Sequence, residues 1–233
     1  MTNRENILTG LKRRQPDRVG FDFMLCPEQL ARFRSETGQE DLAAYFDFPT
    51  QSVEPRPTRL RPDFSRYYDS LPEGTRPLDW NPEWGVMGAP GSTAHFQEML
   101  HPMERMEDAA ELEDYPWPDF DADYRWEGVA EQVDELKRKD LVALGFLEMT
   151  NFEMAWYLRG MENLMVDLME GSPFAQELLD RVTASRAAHA RRFAEAGVDV
   201  LMLGDDIATQ VDMKLSPELW RRTIKPRLSR VIN

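Results

Sequence analysis

Apolar and polar positions along this chain follow a helical period in some stretches and a strand-like run in others. Thr2 and Glu5 form a capping box, and Ile7, Leu8 and Leu11 then share one helical face until Pro16, which predicts a first helix of about three turns. Residues 18–25, RVGFDFML, have the size and aromatic content of a first strand, with Asp22 inside it and Pro27 at its exit. Leu30 and Phe33 stand at helical spacing within residues 27–37, and residues 41–45 make a short helical turn that delivers Asp47 in the segment YFDFP. Val129, Val133 and Leu136 again recur at helical spacing, ending in Lys137, Arg138 and Lys139. Residues 141–147, LVALGFL, are continuously apolar and predict a buried strand that ends at Glu148. A single helix is expected over residues 153–169, where Leu158, Met161, Leu164, Met165 and Leu168 form a core-facing stripe.

The stretch that organises the rest is residues 196–220, AGVDVLMLGDDIATQVDMKLSPELW. Gly197 ends a long amphipathic helix over residues 173–196. Residues 198–203, apolar except for Asp199, then predict a largely buried strand, which sets Asp205 and Asp206 at its C-terminal end. Ser216 is the expected N-cap of the next helix, with Pro217 at its first position and Glu218 in its first turn. Strands separated by helices at this rhythm predict an α/β fold with a parallel sheet, and in such folds the loops after the strands carry the chemistry. Residues 49–125 are expected to be a proline-rich excursion within one domain spanning 1–233, built of short extended pieces. Trp80, Trp84, Phe96 and Met99 would line a cleft there or, more commonly, pack a local core. Residues 108–124 form an acidic, proline-broken connection, read as a solvated face because no calcium-loop spacing is present.

Charge narrows the partners. A formal net charge of −14 disfavours nucleic acid and anionic membrane surfaces, both of which need a basic footprint, and a polyanionic ligand would need a local cluster of arginines. There is no leading apolar segment with a cleavage site and no run of about 18 apolar residues, so a cytoplasmic protein is expected. Cys26 is the only cysteine, which excludes an internal disulfide and a multi-cysteine metal site within this sequence; a lone buried thiol is the commoner reading of it. His95, His101 and His189 lack metal-ligand spacing and read as surface or packing residues. No G-x-S-x-G or dinucleotide glycine pattern occurs.

The segments NRENILTGLKRRQPDRVGF, HPMERMEDAAELEDYPWPD, AGVDVLMLGDDIATQ and LSPELWRRTIKPRLSRVI, in this order, resemble the uroporphyrinogen decarboxylase superfamily, which includes cobalamin-linked methyltransferases. The resemblance implies a (β/α)8 TIM-type barrel with its cleft at the C-terminal ends of the strands, of which these residues supply about the first half. The final LWRRTIKPRLSRVIN stops in a helical pattern without a C-cap, which leads to the expectation that a C-terminal part is missing. The resemblance further implies a small-molecule substrate. It matches Asp47 to a substrate-binding aspartate that contacts pyrrole NH groups, a task suited to a buried carboxylate. Asp205 and Asp206 match the Asp-Ser pair after the fourth strand, and Trp156 and Tyr157 lie near the decarboxylase tyrosine, Trp156 being the closer match. The Arg-Gln-Ala-Gly-Arg signature that binds substrate carboxylates has no counterpart in FDFMLCPEQ.

Asp205 and Asp206 equally suit a turn or helix cap through bonds to backbone NH groups. Taken as functional, they orient substrate or protonate a leaving group. Three readings follow from the resemblance: a methyl-transfer or demethylation enzyme working with a corrinoid protein, a true decarboxylase of porphyrin biosynthesis, or a non-catalytic binding subunit. No cofactor or metal site is identifiable within the sequence; in the methyltransferase branch zinc would be held by a His-x-Cys and a distant Cys beyond Asn233. Unpaired strand edges in a half barrel would also favour pairing with another chain or a second copy.

Overall fold

A computed structural model describes residues 1–78, 82–93 and 96–233 of the chain. Trp80 and His95, and the side chain of Phe96, lie outside the described residues. The chain folds into two compact units: residues 1–55, 126–146 and 193–202 make the first, and residues 56–125, 147–192 and 203–233 the second.

The first unit opens with α1 (Asn3–Leu11), whose Thr2 and Glu5 form the expected capping box. The segment that follows departs from expectation: residues 19–25 are not a strand. Val19, Phe21 and Met24 are exposed, and Phe21 and Phe23 set their rings edge-on to Phe48 at centroid separations of 5.8 and 4.9 Å. Aromatic contacts, which bury rings without a backbone ladder, hold this stretch. Cys26 is exposed at the N-cap of α2 (Pro27–Thr37), correcting the expectation of a buried thiol. After α3 (Leu42–Tyr45), capped by Asp41, comes β1 (Thr50–Ser52), three residues assigned by the proline pattern to the excursion and too short to show a period.

The chain next forms, in the second unit, β2 (Arg76–Pro77), β3 (Met87–Thr93) and β4 (Phe96–Leu100), an antiparallel sheet of the short extended pieces that the prolines permit. Trp84 is fully buried beside it, in a core with Met103, Leu112, Phe152 and Leu158. The acidic connection is less solvated than its charges suggest. Leu112, Tyr115 and Phe120 enter the core, and Asp119 pairs with Arg125 at 3.1 Å. Arg125 also makes a two-pronged pair with Glu83 at 2.7 and 2.8 Å, so its burial is compensated.

A short helix, α4 (Asp123–Trp126), leads to α5 (Val129–Arg138), which buries Val129, Val133 and Leu136 as its period predicts. The next strand, β5 (Val142–Leu147), pairs in parallel with β1, and β6 (Val200–Leu203) flanks its other side in the order β1-β5-β6. Central β5 is buried almost throughout, and Gly145 is required there: a Cβ would lie 2.7 Å from the Phe193 ring. β6 has one neighbour in this order and is half-exposed, with Met202 41% accessible, so the expected buried strand is an edge strand instead.

The single helix expected over residues 153–169 is two, α6 (Phe152–Arg159) and α7 (Met161–Glu170). Gly160 separates them at φ 86°, ψ 143°, a conformation open to glycine, and His101 binds the Tyr157 carbonyl through Nδ1 at 2.7 Å. The hydrophobic period continues across the break because both helices face one core, which is why the pattern conceals it. α8 (Pro173–Ala196) is as expected, and α9 (Pro217–Thr223) starts with Ser216 accepting from the Leu219 N–H at 3.2 Å and Pro217 in its first turn. α10 (Lys225–Ile232) follows. Among the described residues no helix is long and apolar enough to cross a membrane.

Candidate functional site

Two strand exits lie within the second unit, and their residues converge. Thr150 donates its N–H to the Gly204 carbonyl at 2.7 Å, and Gly204 donates to Leu147 at 3.0 Å, tying the stretch after β5 to the stretch after β6. Asp205 then meets the start of α6. Its carboxylate accepts from the N–H groups of Asn151 at 3.2 Å, Phe152 at 3.2 Å and Glu153 at 2.7 Å. These are groups that a helix leaves without intrahelical partners, so Asp205 caps α6 from across the loop. The capping role of Asp205 is therefore real, and it is made to α6, earlier in the chain, rather than to the helix that follows.

Its neighbour is placed differently. Asp206 is exposed, pairs with Lys214 Nζ at 2.6 Å, and donates its backbone N–H to Glu153 Oε2 at 3.1 Å. Glu153 is thus gathered with Asp205 and Asp206, and Glu148 adds a fourth carboxylate to the group that acts on it. Burial, followed by the negative charges of Asp205, Asp206 and Glu148, raises the Glu153 carboxyl above its ordinary range. Burial likewise raises Asp205, against the lowering effect of its three N–H partners, and raises Glu148 against Arg186. All three carboxyls are thus shifted toward the protonated form.

Trp156 and Tyr157 are consecutive on α6, with their rings edge-on at 4.2 Å. Tyr157 stands one helical turn after Glu153; burial and then the charges of Glu153 and Glu148 push its hydroxyl up to about 12. The phenol therefore stays neutral and able to donate. Trp156 is half-buried, and its indole N–H is buried without a hydrogen-bond partner among the described residues. Of the residues singled out from sequence, Asp205, Asp206, Trp156 and Tyr157 thus lie in one unit.

Asp47 belongs to the first unit. It is exposed rather than buried, has a left-handed backbone at φ 53°, and lines a cavity of about 90 Å³ with Asn3, Asn6, Arg18 and Phe46. An exposed carboxylate is hydrated, so the expected buried acceptor of several NH groups is not present there. His189 is buried and stacks on Phe120 at 4.3 Å and 11°, the packing role expected of it; burial drives its pKa down to about 2, which keeps it neutral.

Glu148, Glu153 and Arg186 were not singled out from sequence. Glu153 carried a usable signal, since it precedes Tyr157 by four residues and shares its helical face. Arg186 did also: Leu178, Leu179, Val182, Arg186, His189 and Phe193 form one stripe, in which a guanidinium stands at a core position.

Among the described residues no group of three or more His, Cys, Asp or Glu side chains is arranged to hold a metal ion.

Comparison with known proteins gives two findings. A sequence model of the family described as Uroporphyrinogen decarboxylase (URO-D) matches residues 87–233. A solved structure of a methyltransferase from Methanosarcina mazei superposes with a TM-score of 0.61 at 19% identity, over 99% of this chain and 66% of that one. This chain thus spans slightly less than two thirds of that relative's length, and the likeness is one of fold: α/β, with the parallel sheet forming part of a TIM-type barrel. No curated protein matches the chain significantly.

Proposed function

Since this chain belongs to the uroporphyrinogen decarboxylase family, we propose that it acts on a small methylated substrate in methyl transfer or demethylation, in the branch of the family that works with a corrinoid protein. The observation that carries this reading is the convergence of Glu148, Glu153, Asp205 and Asp206 at the strand exits. Four carboxylates form an electronegative site, and a polycarboxylate such as a porphyrinogen would be repelled by it. The absence of arginine from residues 21–29 points the same way. A neutral or cationic methyl donor suits the charge.

The carboxylates divide the work by environment. Asp205 is occupied by three backbone N–H groups and fixes the start of α6. Asp206 pairs with Lys214 and orients the loop. Glu153, half-buried between them, holds the exchangeable proton and gives it to the heteroatom that loses its methyl group, with Tyr157 as a neutral donor beside it. Glu153 would give its proton to the heteroatom as the bond to the methyl carbon breaks, and a reduced corrinoid held by a partner protein would supply the nucleophilic acceptor for the methyl group. No step is assigned to zinc.

The test is to incubate the protein with methylcobalamin and a thiol, with reduced cobalamin and methylated amines or ethers, and separately with a porphyrinogen. Methyl exchange with cobalamin, followed by its visible spectrum, is expected. Release of carbon dioxide from the porphyrinogen without cobalamin turnover would overturn the reading in favour of a true decarboxylase. Inactivity in every assay would favour a non-catalytic binding subunit.

A further inference from the structure

Beneath the carboxylates lies a cation that the proposed chemistry does not use. Arg186, on α8, is 3% exposed. Its guanidinium lies 4.9 Å from the Trp84 ring centroid and 5.5 Å from that of Phe120. One arm donates to the Glu148 carbonyl at 2.9 Å, directly after β5, while Nε has no partner among the described residues. A buried arginine ordinarily meets a carboxylate fork to fork, as Arg125 does with Glu83 in this same unit. Arg186 is spent on one carbonyl and two aromatic faces. Its charge is answered through space, by Asp205, Glu83, Glu148 and Glu153.

We propose that Arg186 is a positioning residue of the strand-exit site: a buried counter-ion that fixes the main chain at Glu148 and offsets the negative charge gathered at Glu148, Glu153 and Asp205. The arrangement explains why Glu148, Glu153 and Asp205 can be assembled there, Asp206 having Lys214 as its own partner. Without an interior cation their mutual repulsion would open the loop; with a fork-to-fork partner one of them would be locked as a salt bridge and lost to proton exchange. Aromatic faces bury the guanidinium while leaving its charge directed outward to several groups at once. The groups facing this region are Glu83 with its partner Arg125, Glu148, Glu153 with Asp206 and Tyr157, Asp205, and His189 one turn along α8. His189 is held neutral by burial and by these two arginines, and Arg125 and Lys214 are taken by Glu83 and Asp206, so Arg186 is the cation that Glu148, Glu153 and Asp205 share.

The proposal rests on reading these carboxylates as the site, but its test needs no substrate. Carboxyl carbons of aspartate and glutamate are titrated by carbon-13 NMR in the wild type, in Arg186→Gln, which retains a donor for the Glu148 carbonyl, and in Arg186→Lys. Arg186→Gln is expected to raise the titration midpoints of Asp205 and Glu148 by about one pH unit, and Arg186→Lys to restore them most of the way. A folded Arg186→Gln protein with unchanged midpoints would make the residue merely structural and overturn the proposal. So would equal shifts in both variants. If Arg186→Gln alone does not fold, adding Asp205→Asn should recover folding by removing a buried uncompensated carboxylate; a double variant that stays unfolded counts against the proposal. Failure of the methyl-transfer assays would leave these titrations interpretable on their own.

Discussion

The two ends of β6 each carry buried aspartate chemistry, and they are built to opposite ends. At the N-terminal end Asp199 accepts from Arg4 Nε at 3.1 Å and from the Ala143 N–H at 3.1 Å, and lies 3.7 Å from Lys137 Nζ. Burial opposes its ionisation, but the hydrogen bonds from Arg4 and Ala143 and the two nearby cations outweigh that, and its pKa falls. At the C-terminal end Asp205 has, among the described residues, only backbone N–H groups as direct partners and shares one cation with other carboxylates; burial prevails and its pKa rises. A carboxylate paired with cations ionises readily, while a buried one that shares its cation resists ionisation. In barrels of this class the same division places stability at the strand starts and chemistry at the strand exits.

The comparison can be broken most severely at its paired end. Asp199→Ala should cost about 2 kcal/mol of stability in urea unfolding, since it removes the partner of Arg4 and of the Ala143 N–H, while leaving the titration of the exit carboxylates in place. Gly160→Ala comes next. The backbone there is strained for any other residue and a Cβ would meet His101 Cδ2 at 3.3 Å, so about 2 kcal/mol is expected to be lost, together with the alignment of Tyr157.

A pH series sharpens the contrast further. Asp199, with a lowered pKa, contributes stability that is present above the ordinary aspartate value and is lost as pH falls through its folded value. Asp205 and Glu153, with raised values, bind protons more tightly when folded; stability therefore falls as pH rises from the ordinary carboxylate range through their folded values. Asp205→Asn should flatten that upper slope and cost about 1 kcal/mol of capping at acid pH, measured by unfolding between about pH 3 and pH 7. The smallest effect is expected on the surface. Lys214→Ala removes the partner of exposed Asp206 and should change stability by under about 0.5 kcal/mol.

Much of the frame was legible in the residues. The capping box at Thr2, the buried run at Val142–Leu147 and the Ser216-Pro217 helix start are local signals, and local signals survive folding. What was hidden depended on tertiary context. Residues 19–25 have strand composition, yet ring contacts with Phe48 decide their conformation. β1 is recognisable only by its register with β5, Thr50 opposite Val142. At the site, the pattern located Asp205 and Asp206 after a strand but could not show that one caps α6 and the other meets Lys214. Nor could it show that Glu153 lies between them, because that proximity joins residues more than fifty positions apart.

The most direct test of the exit carboxylates as the seat of the chemistry is Glu153→Gln, assayed for methyl exchange with cobalamin and, in parallel, by urea unfolding. Loss of a general acid should lower turnover by about 100-fold or more while the fold retains its stability to within about 1 kcal/mol. Wild-type turnover in the glutamine variant would contradict the account, since the proton would then come from elsewhere.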